Sequence, residues 1–261
     1  MMKGSSVALA LLVSYSLFIS AQESKIGRLT GNANSGKVLY RRYCITCHGV
    51  HGDGAGENAP HLDPKPRDFT RAAFKCRSTP SGSLPTDSDL YNTISRGIYT
   101  TGMPSWEPLT RQQRADLVAY IKTFSNRFHE EPPVTSVPIP PEPPTSAESV
   151  QAGAALFQNM NCWSCHGKEG RGNGPSALTL TDSKGYAILP FDLTRGTHFK
   201  CGETSRDLFR GLTTGLDGTP MPSFADALKP EQIWDLVHYI RTLAEGDRGF
   251  FHRAKSERKL P

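Results

Sequence analysis

The chain has 261 residues, with 30 Lys and Arg against 25 Asp and Glu, a formal charge of +5. That length suits one large domain or two small ones. The basic excess is slight and no aromatic-interleaved basic patch accompanies it, which argues against a nucleic-acid partner.

The N-terminus reads as an export signal. Lys3 supplies the positive end, Val7 to Ile19 is a short apolar core, and Ile19-Ser20-Ala21 is a small-residue cleavage site, giving a signal peptide over residues 1–21. An uncleaved anchor is the alternative. No later stretch is apolar enough to span a bilayer. The expected location is therefore periplasmic or extracytoplasmic, with no stable membrane span after cleavage. Loss of Lys3 leaves 29 basic and 25 acidic residues, 29 − 25 = +4.

Cys44-Ile45-Thr46-Cys47-His48 is the first chemical signature, and Cys162-Trp163-Ser164-Cys165-His166 repeats it. C-x-x-C-H is the attachment pattern of a c-type haem. Two thiols three residues apart on a helical turn can each add to one vinyl group of the same porphyrin. The adjoining histidine then meets the iron as proximal ligand. A bare C-x-x-C would leave zinc or thioredoxin-like chemistry open, but neither half offers a second C-x-x-C or an H-x₃-H. The expected cofactors are two covalently attached haem c groups.

The surroundings of the two signatures also repeat. GKVLYRRYCITCHG, DFTR, FKC, GMPSW and DLVAYIKTF in the first half answer GAALFQNMNCWSCHG, DLTR, FKC, PMPSF and DLVHYIRTL in the second. His48 and His166 are 118 residues apart, as are Met103 and Met221, so histidine and methionine are separated by 55 residues in each copy. The interior is less regular, because Cys76 follows its histidine by 28 residues and Cys201 by 35, with an insertion near residues 181–189.

Each half opens with a helix running into its C-x-x-C-H. Each closes with a more strongly periodic helix, the first started by a Thr110/Gln113 capping box and the second by Pro230 in its first turn. Short helices are expected around Asp89–Ser95 and Ser205–Leu212, loops elsewhere, and no strand. Glu130 to Ser146 contains seven prolines and reads as a semi-rigid spacer. The resulting division is 22–129, a linker at 130–147, 148–246, and a basic tail at 247–261, in an all-α chain whose small cores rely on their cofactors.

A haem closed by a second protein ligand mainly transfers electrons, whereas an open one binds small molecules. Met103 and Met221, in matching Met-Pro-Ser loops, are the candidate sixth ligands. Met160 reads as a core residue. His51, His61, His129, His198, His238 and His252 do not recur in register and read as surface or structural residues. Arg71 and Arg195 recur in D-[FL]-T-R and suit haem propionates or simply the surface. Trp106 and Phe224 are expected to pack on the haems. The carbonyl of Pro60 or Pro175 is the expected acceptor for a proximal histidine's other ring nitrogen. Cys76 and Cys201 remain. A pseudo-twofold relation between the halves would let them meet in a disulfide, while pairing with another chain, free thiols or iron ligation stay open.

Gly36 and Tyr40 before Cys44, the C-x-x-C-H, the late Met-Pro loop and the aromatic terminal helix together resemble class I cytochrome c domains. The resemblance covers the whole chain after the signal. It implies two tandem cytochrome c-like domains joined by a Pro-rich linker. KPRDFTRAAFK, SGSLPTDSDLY and LDGTPMPSFADAL are similar to di-haem cytochromes found alongside periplasmic molybdopterin oxidoreductases, including nitrite oxidoreductase-type complexes. That likeness implies an electron-transfer protein, not itself an enzyme, between a redox donor and acceptor, with such a complex as a partner. Two alternatives stand beside it. One is a di-haem enzyme of peroxidase or thiosulfate-oxidising type, which would need a displaceable or cysteine ligand. The other is an assembly subunit of a larger complex or filament.

Overall fold

The computed structural model describes residues 24–196 and 198–256, with backbone alone for 245–256. The signal segment and residues 257–261 lie outside the described residues. The structure opens on an antiparallel hairpin, β1 (Ser24–Ile26) and β2 (Leu29–Gly31), in register Ser24↔Gly31 and Ile26↔Leu29. This corrects the expectation of a wholly helical chain. Three-residue strands are too short for an alternating pattern to be read in the sequence.

The first half continues with α1 (Ala33–Tyr43), the single turn α2 (Ile45–His48), α3 (Asp87–Arg96), α4 (Arg111–Lys122) and the short α5 (Arg127–Glu130). The second half repeats the series as α6 (Ala147–Asn159), α7 (Trp163–His166), α8 (Ser205–Thr214) and α9 (Pro230–Ser256). Capping explains the helix starts. Thr86/Asp89, Thr110/Gln113, Ser146/Ser149 and Thr204/Asp207 form reciprocal boxes at α3, α4, α6 and α8. α9 runs to Ser256, so the backbone of the first ten residues of the expected tail continues the last helix.

Each half folds around its own apolar cluster. Tyr40, Leu117 and Val118 centre the first, and Phe157, Trp234 and Val237 the second. The crossing of α1 on α4 is closed by Gly36, where a Cβ would lie 2.0 Å from the Asp116 carbonyl oxygen. Gly153 of α6 stands at the same 2.0 Å from the Asp235 carbonyl oxygen of α9. The same glycine thus brings the signature helix onto the terminal helix in both halves.

Residues 132–146 form neither helix nor strand, as the prolines require. They are nevertheless docked along the fold. Val137 N–H donates to the Ser78 carbonyl at 2.8 Å, the Ser136 and Ser78 hydroxyls lie 2.7 Å apart, and Ile139 packs on the second core.

The halves are further joined by a Cys76–Cys201 disulfide and by the insertion around residue 184. Lys184 donates to the Asp53 carbonyl at 2.8 Å and lies 3.3 Å from the Asp68 carboxylate, while Arg71 donates to the Ser183 carbonyl. The extra residues of the second copy therefore grip the first.

Candidate functional site

The turn at α2 is built by Cys44, whose carbonyl accepts from the backbone N–H of both Cys47 and His48 at 3.2 and 2.9 Å. The corresponding distances from Cys165 and His166 to the Cys162 carbonyl are 3.3 and 2.9 Å. Cys44, Cys47 and His48 line one cavity, and Cys162, Cys165 and His166 line a second. At ≈ 130 and ≈ 340 Å³ these spaces exceed the ~30 Å³ share of a single water, so neither is a packing defect.

Both imidazoles are oriented through the backbone. His48 Nδ1 lies 3.1 Å from the Arg67 carbonyl and His166 Nδ1 lies 3.0 Å from the Phe191 carbonyl, so each Nδ1–H donates and leaves Nε2 available. Burial lowers the pKa of both rings, despite the opposing effect of those hydrogen bonds, which favours the neutral form a metal needs.

These acceptors correct the expectation of Pro60 or Pro175; the Pro60 carbonyl accepts from Lys65 instead. The true acceptors occupy matching positions in Pro66-Arg67-Asp68-Phe69-Thr70 and Pro190-Phe191-Asp192-Leu193-Thr194. In each, the aspartate Oδ1 accepts from the N–H and hydroxyl of the threonine two residues on, pinning the turn. The repeated D-x-T was a legible signal whose value lies in the carbonyl before it.

Met103 and Met221 stand in the walls of the first and second cavities. Their loops share one geometry. Thr101 and Thr219 hydroxyls accept from the methionine N–H at 3.1 and 3.2 Å, and the methionine carbonyls accept from Ile98 and Leu216. Trp106 and Phe224 line the same walls, and Met160 joins the second.

The four signature cysteines are free and half-buried. Burial, with Cys47 adding to it, pushes the Cys44 thiol up to about 12; burial likewise raises Cys162 to about 11. Such thiols are poor thiolates, opposite to the activated cysteine of a thioredoxin-like motif. Among the described residues no group of three His, Cys, Asp or Glu side chains could hold a bare metal ion. Apolar walls, paired thiols, an available imidazole and a thioether together fit an iron porphyrin.

Both halves match cytochrome c family models. Residues 150–244 match the cytochrome c family, and residues 31–121 match cytochrome C oxidase, cbb3-type, subunit III. A chain of the Kuenenia stuttgartiensis reducing HAO-like protein complex is 45% identical, with 81% of this chain and 96% of that one covered and a TM-score of 0.79. This protein belongs to the tandem class I c-type cytochromes.

The cytochrome is also 22% identical over 211 residues to the cbb3-type cytochrome c oxidase subunit FixP of Azorhizobium caulinodans. It is 31% identical over 152 residues to the quinohemoprotein alcohol dehydrogenase ADH-IIG of Pseudomonas putida. It spans 59% of the former and 18% of the latter, with 81% and 56% of its own length aligned.

Not every expected site residue of the cytochrome reaches a cavity. Arg71 and Arg195 line neither; they are exposed and sit beside Asp68 and Asp192 at 4.0 and 3.4 Å. Repetition reflects their place after the D-x-T turn. The cations that do line the cavities are Lys65, Arg67 and Lys75 in the first and Lys75 and Lys200 in the second. His238, read as surface or structural, is buried between Ser149 at 2.9 Å and Glu142 at 3.6 Å.

Proposed function

We propose that this cytochrome is a di-haem electron-transfer protein. Cys44 and Cys47 attach one haem c and Cys162 and Cys165 the other. His48 and His166 are the proximal ligands, with Met103 and Met221 closing the opposite sides. The observation that carries this reading is that each cavity contains an imidazole with its Nδ1 already committed to a carbonyl and a methionine on a hydrogen-bonded loop.

The bound haems would supply one-electron chemistry, with thioether ligation favouring Fe(II). The polypeptide's contribution is to hold both ligands through a cycle without rearrangement. Arg67 and Phe191 carbonyls fix the imidazole planes, Thr101 and Thr219 fix the methionine loops, and the apolar walls exclude water.

An enzyme with a cysteine ligand is disfavoured, because Cys76 and Cys201 are joined to each other. The solved relative from an HAO-like complex supports a redox complex of that kind as partner, ahead of a molybdopterin enzyme. Export is supported by the N-terminal pattern and by the disulfide, which persists in oxidising compartments. Among the described residues, no helix is long and apolar enough to cross a membrane. The division into two domains at 130–147 rests on the proline-rich composition of that segment.

The test is haem quantification together with optical spectra, oxidised and dithionite-reduced, before and after carbon monoxide. Two haems per chain, a Met–Fe(III) charge-transfer band and no spectral change with carbon monoxide are expected. Rapid carbon monoxide binding, or a native spectrum lacking that band, would overturn the closed-ligand carrier.

A further inference from the structure

Three cations meet where the two cavities approach each other. Lys75 stands in the walls of both, Arg67 in the first and Lys200 in the second. Lys75 precedes Cys76 and Lys200 precedes Cys201, so the disulfide places both Phe-Lys-Cys segments at the junction. The Arg67 guanidinium reaches the second half, since a Cβ on Gly218 would lie 2.3 Å from its Nη1.

None of the three side chains has an ion-pair partner among the described residues; Asp182, Asp68 and Asp217 act on Arg67, and Asp63 on Lys200, only at longer range. Among the described residues, none makes a side-chain hydrogen bond or has a carboxylate within 4 Å, and Asp63 and Asp182 act on Lys75 only from farther away. Burial, reinforced by Arg67 and Lys200, lowers the Lys75 ammonium to about 7. Clustered, partly buried cations of one sign are costly without anions to meet them. The acidic residue in the cavity walls is committed elsewhere. Asp207, beside the second, accepts from Thr204 and Arg210.

A haem carries its vinyl groups and its propionates on opposite edges. With the thioether-forming cysteines at one wall of each cavity, the carboxylates must be received at another. Among the described residues, Lys75 is the one cation that lines both cavities.

We propose that Lys75 is a shared propionate-binding residue, taking a carboxylate from the haem of each half, with Arg67 and Lys200 as flanking partners on their own sides. This rests on the two-haem reading above. One ammonium then influences both irons. A nearby cation favours the reduced state, and it neutralises carboxylates that would favour the oxidised one. Lys75 is thus a positioning and tuning residue for the pair.

The test is an optical redox titration of the holoprotein, with haem content measured on the same samples. Wild type with fewer than two haems would defeat the two-haem reading itself. With two haems present, Lys75→Met is expected to shift both midpoints to lower potential, and Lys75→Arg to return both towards wild type. A fully loaded Lys75→Met protein in which one midpoint or neither moves overturns the shared site. Should Lys75→Met load poorly, loss from both halves with rescue by Lys75→Arg supports the proposal, and loss from one half alone overturns it.

Discussion

Arg77 of the first half, 1% exposed, places its guanidinium 2.8 Å from the Asp217 carboxylate of the second. It also donates to the Thr214 and Pro80 carbonyls, while Asp217 accepts from Ser81 and Gly82. Burial lowers the Arg77 pKa, and Asp217 and then Asp89 oppose that shift. Removing one partner of a buried pair leaves an unmatched charge, typically costing about 3–5 kcal/mol. Asp217→Ala should therefore destabilise the holoprotein by about that amount in denaturant titration. Arg77→Met, which removes the buried charge, should cost less.

The interface around this pair departs from the repeat. The residue after Cys76 is Arg77, but the residue after Cys201 is Gly202. One side of the junction is filled by a long buried side chain and the other is left open beside Met103, where a cavity of ≈ 290 Å³ lies. Equal histidine-to-methionine spacing in the sequence thus coexists with unequal packing between the halves.

The disulfide closes a loop spanning 125 residues. Chain entropy for a loop of that size corresponds to roughly 4–5 kcal/mol of stabilisation. The Cys76→Ser, Cys201→Ser double variant should keep both haems and unfold at distinctly lower denaturant concentration. Wild type should run as a monomer on a non-reducing denaturing gel. A disulfide-linked dimer would reassign the cysteines to another chain.

Gly36→Ala and Gly153→Ala test the crossing that seats each signature helix. A methyl group 2.0 Å from a backbone oxygen cannot be absorbed by rotamer change, so the helices must separate. Overpacking of this kind costs typically 1–3 kcal/mol, and a contact this close belongs at or above the upper end. Each variant should lower stability and broaden the spectrum of the haem in its own half, leaving the other half sharp.

What was legible in the sequence is what side chains encode locally. The Thr110/Gln113 box, Pro230 at the start of α9, and the C-x-x-C-H and Met-Pro positions all announce themselves by residue type and spacing. Backbone groups do not. The carbonyls of Arg67 and Phe191 orient the imidazoles, yet any residue has a carbonyl, and only the following Asp–Thr turn marks them. Arg71 and Arg195 repeat in the sequence because they follow that turn, and their side chains stay outside both cavities. The β1–β2 hairpin is too short for periodicity, and the proline segment's docking through Val137 and Ile139 depends on partners distant in sequence. Lys75 looks like any surface lysine until the halves are brought together.

Asp207 should be one source of acid sensitivity, alongside Asp68, whose carboxyl is also held low. Burial raises the Asp207 carboxyl, but hydrogen bonds from Thr204 and the Arg210 guanidinium outweigh that and hold it below the ordinary carboxylate range. The same carboxylate closes the capping box of α8 and lies 3.9 Å from Arg96 of α3 in the other half. Because its folded value is below its unfolded one, its stabilising contribution is fully present above the ordinary aspartate range near pH ~4. The contribution disappears as pH falls through the folded value. Asp207→Asn should therefore be less stable than wild type at neutral pH, by about 1 kcal/mol or more given the lost cap and ion pairs. The two proteins should converge as the solution is acidified. Denaturant midpoints measured from pH 7 down to the acid transition would show this, and a difference that stays constant across that window would assign the acid sensitivity to other carboxylates.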